Sequence, residues 1–331
     1  MSTLGIVITY RETELCKKAI RSLVDAGADV ALVFNGWDNK YRRWLDSVKH
    51  NLDYVFLNRQ NLGFCIGNNQ AMRVAIRDNY DYVFLLNNDA WVESDCIQEL
   101  EKTLSKYSKV GLAQPKVYKA WNRKLLDTTG HIFTYGDRYS WEKGLGILKD
   151  RGEYERDEGQ YDCLVDIPSC CGCAVMYRVE MLKDVGLFWE RLWSICEDVE
   201  LSWRAHTCGW KARFAPEAIS YHWRGYTSLK NDRKKIFKKQ NFNLWRYLFY
   251  RNWILILRRY GSEFQKKFEM LRFLILSLKC SIGSAFKLST IDGKFIYLCS
   301  KAIFDNKYLN IINRIIVPEI RRKINASPRK L

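Results

Sequence analysis

The chain is expected to fold as an α/β protein built on a doubly wound mixed sheet, and three observations predict this. Short apolar runs of strand length recur at Gly5–Thr9, Val30–Phe34, Tyr54–Leu57 and Val83–Leu86. Segments with helical apolar spacing separate them, joined by short connections. Each run ends in small polar residues, as strands do at the carboxyl edge of an open α/β sheet, where ligands bind.

Taken in order, Gly5-Ile6-Val7-Ile8-Thr9-Tyr10-Arg11 forms the first strand and its polar end. Leu15, Ala19, Ile20, Leu23 and Val24 give the next segment one apolar helical face. The second strand closes on the turn pair Asn35-Gly36. The third leads into Asn61-Leu62-Gly63-Phe64-Cys65-Ile66-Gly67-Asn68-Asn69, and an amphipathic helix carrying Ala71, Val74 and Ala75 follows. Gly63 and Gly67 are suited to a turn or to close approach of a ligand to the backbone. The fourth strand, Val83–Leu86, has four apolar residues in a row, the mark of a strand buried on both faces. It empties into Asn87-Asn88-Asp89. A carboxylate there suits a hard divalent cation holding a diphosphate. The same pattern also fits a helix N-cap, because Glu93, Asp95, Ile97 and Leu100 predict a helix downstream.

The second half carries a denser acid cluster. Glu197, Asp198 and Glu200 fall within four residues at the start of a predicted helix. Such stacking is costly unless a cation or proton transfer uses it, although acids also favour a helix N-terminus through the macrodipole. Upstream, Ser169–Arg178 is a small-residue turn entering an apolar run; downstream, Ala215–His222 reads as a strand ending on a histidine. At a strand end beyond an acid cluster, His222 is a candidate metal or phosphate contact.

These blocks together resemble the family-2 inverting glycosyltransferases of the GT-A fold, especially the bacterial rhamnosyltransferase-like branch. The resemblance runs from Thr3 to Ser228 and rests on matching segments in order. They are Val7–Tyr10, Asn61–Asn69, Leu86–Asp89, Gly172–Arg178, Val185–Phe188, Glu197-Asp198 with Leu201 and Arg204, and His222 with Gly225 and Ser228. The resemblance implies a nucleotide-diphospho-sugar donor, a glycan or polyprenyl-linked acceptor in cell-surface polysaccharide assembly, and Mg2+ or Mn2+ as cofactor. It makes Asp89 the metal-coordinating acid, with Asn87 in place of the first acid of the Asp-x-Asp motif and His222 completing the metal site. Asp198 becomes the general base, beside Glu197. Thr9, Tyr10, Arg11, Glu12, Asn35, Asn61, Gly63, Phe64, Gly67, Asn68, Asn88, Gly172 and Arg204 match donor and nucleotide contacts. The family often has Asp-Asn-Gly-Ser after the second strand, where Phe34-Asn35-Gly36-Trp37 stands here, so Asp38 is the candidate substitute for the missing acid. Phe188-Trp189-Glu190 and Glu197-Asp198-Val199-Glu200-Leu201 also depart from the family pattern, which leaves the donor open.

Composition bounds the setting. Eleven cysteines, an odd number scattered along the chain, predict reduced thiols rather than a disulfide framework. Ser2-Thr3 leads straight into the first strand, which predicts no signal peptide. Residues 1–229, the expected catalytic domain, carry 30 Lys+Arg against 31 Asp+Glu, whereas residues 230–331 carry 24 against 6, a net of +18. This basic, aromatic-rich extension contains no apolar stretch of the ~18 residues needed to span a bilayer. It suits an anionic membrane surface, with the enzyme cytoplasmic and peripheral, and it equally suits an ordinary helical core with solvated cations. A nucleotidyltransferase would share the sheet and the metal acid, but Thr9–Thr13 lacks the Gly-rich basic loop such enzymes carry. A nucleic-acid-binding protein would explain the basic third but not the acids at strand and helix ends, so no nucleic acid is expected.

Overall fold

The four predicted strands form a parallel sheet. The computed structural model describes residues 1–10, 14–133, 148–224, 248–249, 251–261, 263 and 329–330. In it β1 (Thr3–Thr9), β2 (Asp29–Asn35), β3 (Tyr54–Asn58) and β4 (Tyr82–Asn87) lie side by side in the order β4-β1-β2-β3. All three pairings are parallel, and parallel pairs need crossover helices. The helix α1 (Glu14–Asp25) joins β1 to β2 and buries Cys16, Ala19, Ile20 and Leu23 on one stripe. The short α2 (Arg42–Asp46) lies between β2 and β3, and α3 (Gly63–Arg77) returns the chain to β4.

The start of α3 differs from expectation. Gly63 to Asn69 is helical rather than a loop ahead of the helix. Asn61 Oδ1 accepts the Gly63 N–H at 3.0 Å, supplying a side-chain partner for an otherwise orphaned donor of the first turn. The two glycines serve close packing. A Cβ on Gly67 would lie 2.4 Å from Ile8 Cδ1, so its absence lets α3 sit tightly on the sheet. Gly63, at φ +81°, leaves room for Trp193, whose carbonyl oxygen would lie 2.6 Å from a Cβ there.

The second half extends the sheet with mixed pairing. After β4 come β5 (Ala90–Val92), α4 (Cys96–Lys106), β6 (Val110–Lys119) and β7 (Asn122–Thr128). Then follow β8 (His131–Phe133), β9 (Leu148–Asp150), β10 (Val165–Ile167) and β11 (Ala174–Arg178). The helices α5 (Val179–Val185) and α6 (Glu197–Thr207) lead to β12 (Lys211–His222). β11 inserts antiparallel between β4 and β6, and β12 runs parallel to β6 on its other side. β5 pairs with β12, β7 with β6, and the last described pair, Arg329–Lys330 (β13), lines the β3 edge. This is the mixed sheet of the GT-A fold. Because β5 directly follows Asp89, with α4 starting only at Cys96, the helix-cap reading of Asp89 does not hold.

The chain separates into two compact units: Met1–Thr134, Ile147–Tyr226 and Pro328–Leu331 in the first, Tyr135–Gly146 and Thr227–Ser327 in the second. In the second, residues 251–260 are helical, and Trp253, Leu255, Ile256 and Leu257 are buried. No helix among the described residues is long and apolar enough to cross a membrane. Arg11, Glu12, Gly225, Ser228 and the basic run from Lys230 to Lys239 lie outside the described residues.

Candidate active site

Strand register brings Asp89 and His222 together. β5 pairs antiparallel with β12 so that Ala90 faces His222, and the Trp223 N–H donates to the Asp89 carbonyl at 2.8 Å. Asp89, one residue before Ala90, thereby meets the last residue of β12. His222 Nε2 lies 3.2 Å from Asp89 Oδ1. Burial opposes a charged imidazole, but hydrogen bonds to Asp127 and Asp89 outweigh it and hold the His222 pKa up at about 9. The pair fits a divalent cation. A carboxylate oxygen and an imidazole nitrogen are donors such ions accept, and two donors about 2.1 Å from one ion at a right angle stand about 3 Å apart.

The same sheet edge receives Asp198. Across β11 and β4, Ala174 faces Leu86 and the Asn87 N–H donates to the Cys173 carbonyl at 2.9 Å. Gly172 therefore falls beside the Asn88-Asp89 turn. Its N–H donates to Asp198 Oδ2 at 2.8 Å, and the Val199 N–H donates to Asp198 Oδ1 at 2.8 Å. A Cβ on Gly172 would stand 3.3 Å from Asp198 Oδ2, so a glycine leaves the carboxylate its seat. Asp198 is half-buried and its neighbour Glu197 is buried. Burial, reinforced by the Asp198 charge, pushes the Glu197 carboxyl up to about 8, and its Oε2 has no hydrogen-bond partner. The approach to α6 is strained: Trp193, Ile195 and Cys196 all have positive φ, at 65°, 76° and 68°. For a β-branched residue such as Ile195 this is an outlier that the surroundings must enforce.

The ends of β1, β2 and β3 frame a cleft of about 470 Å³ lined by Tyr10, Gly36, Trp37, Asp38, Lys40, Tyr41 and Arg59. Asp38 lies in it, with Oδ1 accepting the Lys40 N–H at 3.0 Å. Asn35 Nδ2 donates to the Gly63 carbonyl at 3.0 Å, and Asn58 Nδ2 donates to Asn35 Oδ1 at 3.1 Å, tying β2, β3 and α3 together beside the cleft. Thr9 accepts from Asn88 Nδ2 at 3.0 Å, linking β1 to the Asn87–Asp89 turn. Phe64 packs on Phe188, and Asn68 Nδ2 donates to the Phe64 carbonyl within α3. Arg204 stands apart from the expectation of a substrate contact. Its guanidinium grips Glu200 through both carboxylate oxygens and donates to the Val185 and Leu187 carbonyls, so it locks α6 to the turn after α5.

Behind His222 lies a buried charged cluster that sequence reasoning missed. Asp127, fully buried on β7, accepts from His222 Nδ1 at 2.8 Å, Lys119 Nζ at 2.8 Å and Arg224 Nε at 3.2 Å. Burial works against its charge, but these three partners hold it down at about 2. Arg224 continues to Asp150 at 2.6 Å. Asp150 stands 3.7 Å from His131, which contacts Ser169. One signal was legible: Arg224 lies two residues beyond His222, on the same side of an extended chain.

A family model described as Glycosyl transferase family 2 matches residues 6–186. No curated protein matches the chain. Among solved structures, GalNAc-T7 with UDP, GalNAc and Mn2+ is similar with a TM-score of 0.59 at 12% identity, over 98% of this chain and 58% of that one. The mannosyltransferase PcManGT from Pyrobaculum calidifontis, in complex with GDP-Man and Mn2+, aligns with a TM-score of 0.49 at 13% identity, over 95% and 87% of the two chains. S. aureus TarS aligns with a TM-score of 0.47 at 13% identity, over 75% and 43%. The likeness to GalNAc-T7 is one of fold, and the chain spans 58% of that protein's length.

Proposed function

The chain belongs to glycosyl transferase family 2, and from that membership we propose that it transfers a sugar from a nucleoside diphosphate to an acceptor hydroxyl, with inversion. The observation that carries this reading is that Asp198, tethered by Gly172, and the Asp89–His222 pair lie at the same sheet edge. A sugar hydroxyl is a poor nucleophile, so a carboxylate must take its proton. Asp198 serves because it is half-buried with both oxygens aimed by backbone N–H groups. The acceptor oxygen bonds to the anomeric carbon, the carbon–phosphate oxygen bond breaks, and the electron pair leaves on the diphosphate. The hydroxyl proton goes to Asp198. A single displacement with one base inverts the anomeric centre. Asp89 and His222 would hold a divalent cation, which supplies positive charge to the departing diphosphate. That GalNAc-T7 holds UDP and Mn2+ on the same fold supports this assignment.

The cleft between β1, β2 and β3 takes the nucleotide, with Tyr10, Trp37 and Tyr41 offering aromatic surface and Lys40 and Arg59 positive charge. The sequence resemblance favours a bacterial rhamnosyltransferase-like activity on a glycan or polyprenyl-linked acceptor in polysaccharide assembly. The basic residues 230–331 support a peripheral site at the cytoplasmic face of the membrane. A panel of nucleotide sugars, with and without Mn2+, tests the reading by thermal shift and by release of nucleoside diphosphate. Metal-dependent stabilisation by a subset of donors is expected. Asp89→Asn should lose the metal-dependent part. A panel with no stabilising donor, or an unchanged Asp89→Asn, would overturn it.

A further inference from the structure

We infer that Asp127 is a positioning residue for the metal site, holding the His222 imidazole by Nδ1 so that Nε2 is the atom presented to the cation beside Asp89. The inference rests on the reading that Asp89 and His222 hold that cation.

The geometry is over-determined. β7 pairs antiparallel with β6, Tyr118 facing Leu126, while β6 and β12 run parallel with Lys119 facing His222. Three strands thus converge on Asp127, Lys119 and His222, and the solvent-free carboxylate has all of its hydrogen bonding directed inward. One oxygen takes His222 Nδ1 and Arg224 Nε, and the other takes Lys119 Nζ. Arg224 is itself anchored by Asp150 and Glu153 at 2.6 and 3.4 Å. A carboxylate bonded from three sides holds the ring plane and leaves Nε2 facing Asp89 Oδ1. A histidine that ligates a metal through one nitrogen commonly donates the other N–H to such a carboxylate, and losing that partner costs about 10–100-fold in metal affinity.

A competing arrangement uses ligand atoms of Asp127, Cys173 and His222, which lie within 4.8 Å of one another. An ion there would have to take the Asp127 oxygens from Lys119 and Arg224, two basic side chains already bonded to them. Displacing them would leave buried donors without a partner, which is costly. On the Nε2 side the ion meets the carboxylate of Asp89 instead.

The test uses the full chain and Mn2+ alone as probe, with free Mn2+ followed by EPR. Asp127→Asn should weaken binding about 10–100-fold, whereas Asp166→Asn, a carboxylate bonded to Lys211 and Arg213 at the opposite end of β12 from His222, should leave affinity unchanged. Unaltered affinity in a folded Asp127→Asn would overturn the positioning role. Should that variant not fold, the wild type decides by 15N NMR with Cd2+. Only four histidines are present, so His222 can be assigned by single substitutions. Metal coupling at Nε2 supports the inference, and coupling at Nδ1 overturns it. Asp89→Asn and His222→Gln separate the two claims. If neither weakens Mn2+ binding, the metal reading itself fails. If both do while Asp127→Asn does not, only the positioning role fails.

Discussion

Glu197 and Asp198 are adjacent in sequence, yet their surroundings differ. Asp198 receives two backbone N–H groups and stays half-exposed; Glu197 is buried with one oxygen unpartnered. Proton transfer needs a reachable, ionised carboxylate, so Asp198→Asn should lower turnover by about 10² or more while donor affinity persists. Single-turnover kinetics beside donor titration measures this, and an Asp198→Asn enzyme near wild-type turnover would exclude Asp198 as the base. For Glu197 the expected signature is in stability. Its folded pKa of about 8 stands above its unfolded value of about 4.3, because burial and the Asp198 charge disfavour ionisation. The folded state therefore binds more protons between these values, and stability falls as pH rises from about 4.3 through 8. Glu197→Gln removes the titrating group. Its Tm relative to wild type should rise across that window, by about 5 °C or more at pH 8. A difference that stays flat with pH would show that Glu197 ionises without cost in the folded protein.

At the scale of elements, the site depends on how closely α3 sits on the sheet. Gly67 faces Ile8, Val33 and Asn35, with a Cβ only 2.4 Å from Ile8 Cδ1. Gly67→Ala must displace the Ile8 side chain or the helix, at a cost of up to about 1–3 kcal/mol for overpacking, and should disturb Asn35 enough to weaken nucleotide binding. Urea unfolding and donor titration check both effects, and unchanged stability would mean that the Ile8 side chain or the helix yields freely. This tight seat was not legible in the sequence, where Asn61 to Asn69 reads as a glycine-bearing loop, because the contact partner Ile8 is remote in the chain. Asp89 and Asp198 were legible for the opposite reason. Each follows a local pattern, a buried run ending in polar residues or acids opening a helix, and each is confined to one sheet edge. The cluster of Lys119, Asp127, Asp150 and Arg224 forms only through the register of β6, β7 and β12 and the β8–β9 pair. Nothing within seven residues such as Asn122–Thr128 announces that a charged residue, Asp127, is fully buried.

At the scale of the whole molecule, charge is partitioned. Residues 1–229 sum to −1 and residues 230–331 to +18. A nucleotide-sugar site needs no such excess elsewhere, whereas a lipid-linked acceptor lies at a surface that is commonly anionic. Within the described part of the extension, Trp253, Leu255, Ile256 and Leu257 are buried, so the apolar face of that helix is packed and the cations become the candidates for surface contact. Each Lys or Arg held near an anionic bilayer contributes about 1 kcal/mol, screened by salt. Lys230, Arg233, Lys234, Lys235, Lys238 and Lys239 place six cations within ten residues. The full chain should therefore co-sediment with vesicles containing phosphatidylserine at low ionic strength, release as salt rises, and ignore purely zwitterionic vesicles. Reversing the six to Glu should abolish co-sedimentation and lower transfer to a polyprenyl-linked acceptor, while transfer to a short soluble acceptor persists. A wild-type chain that stays in the supernatant with anionic vesicles, or that prefers RNA at the same salt, would remove the membrane dock and leave the basic extension to another task.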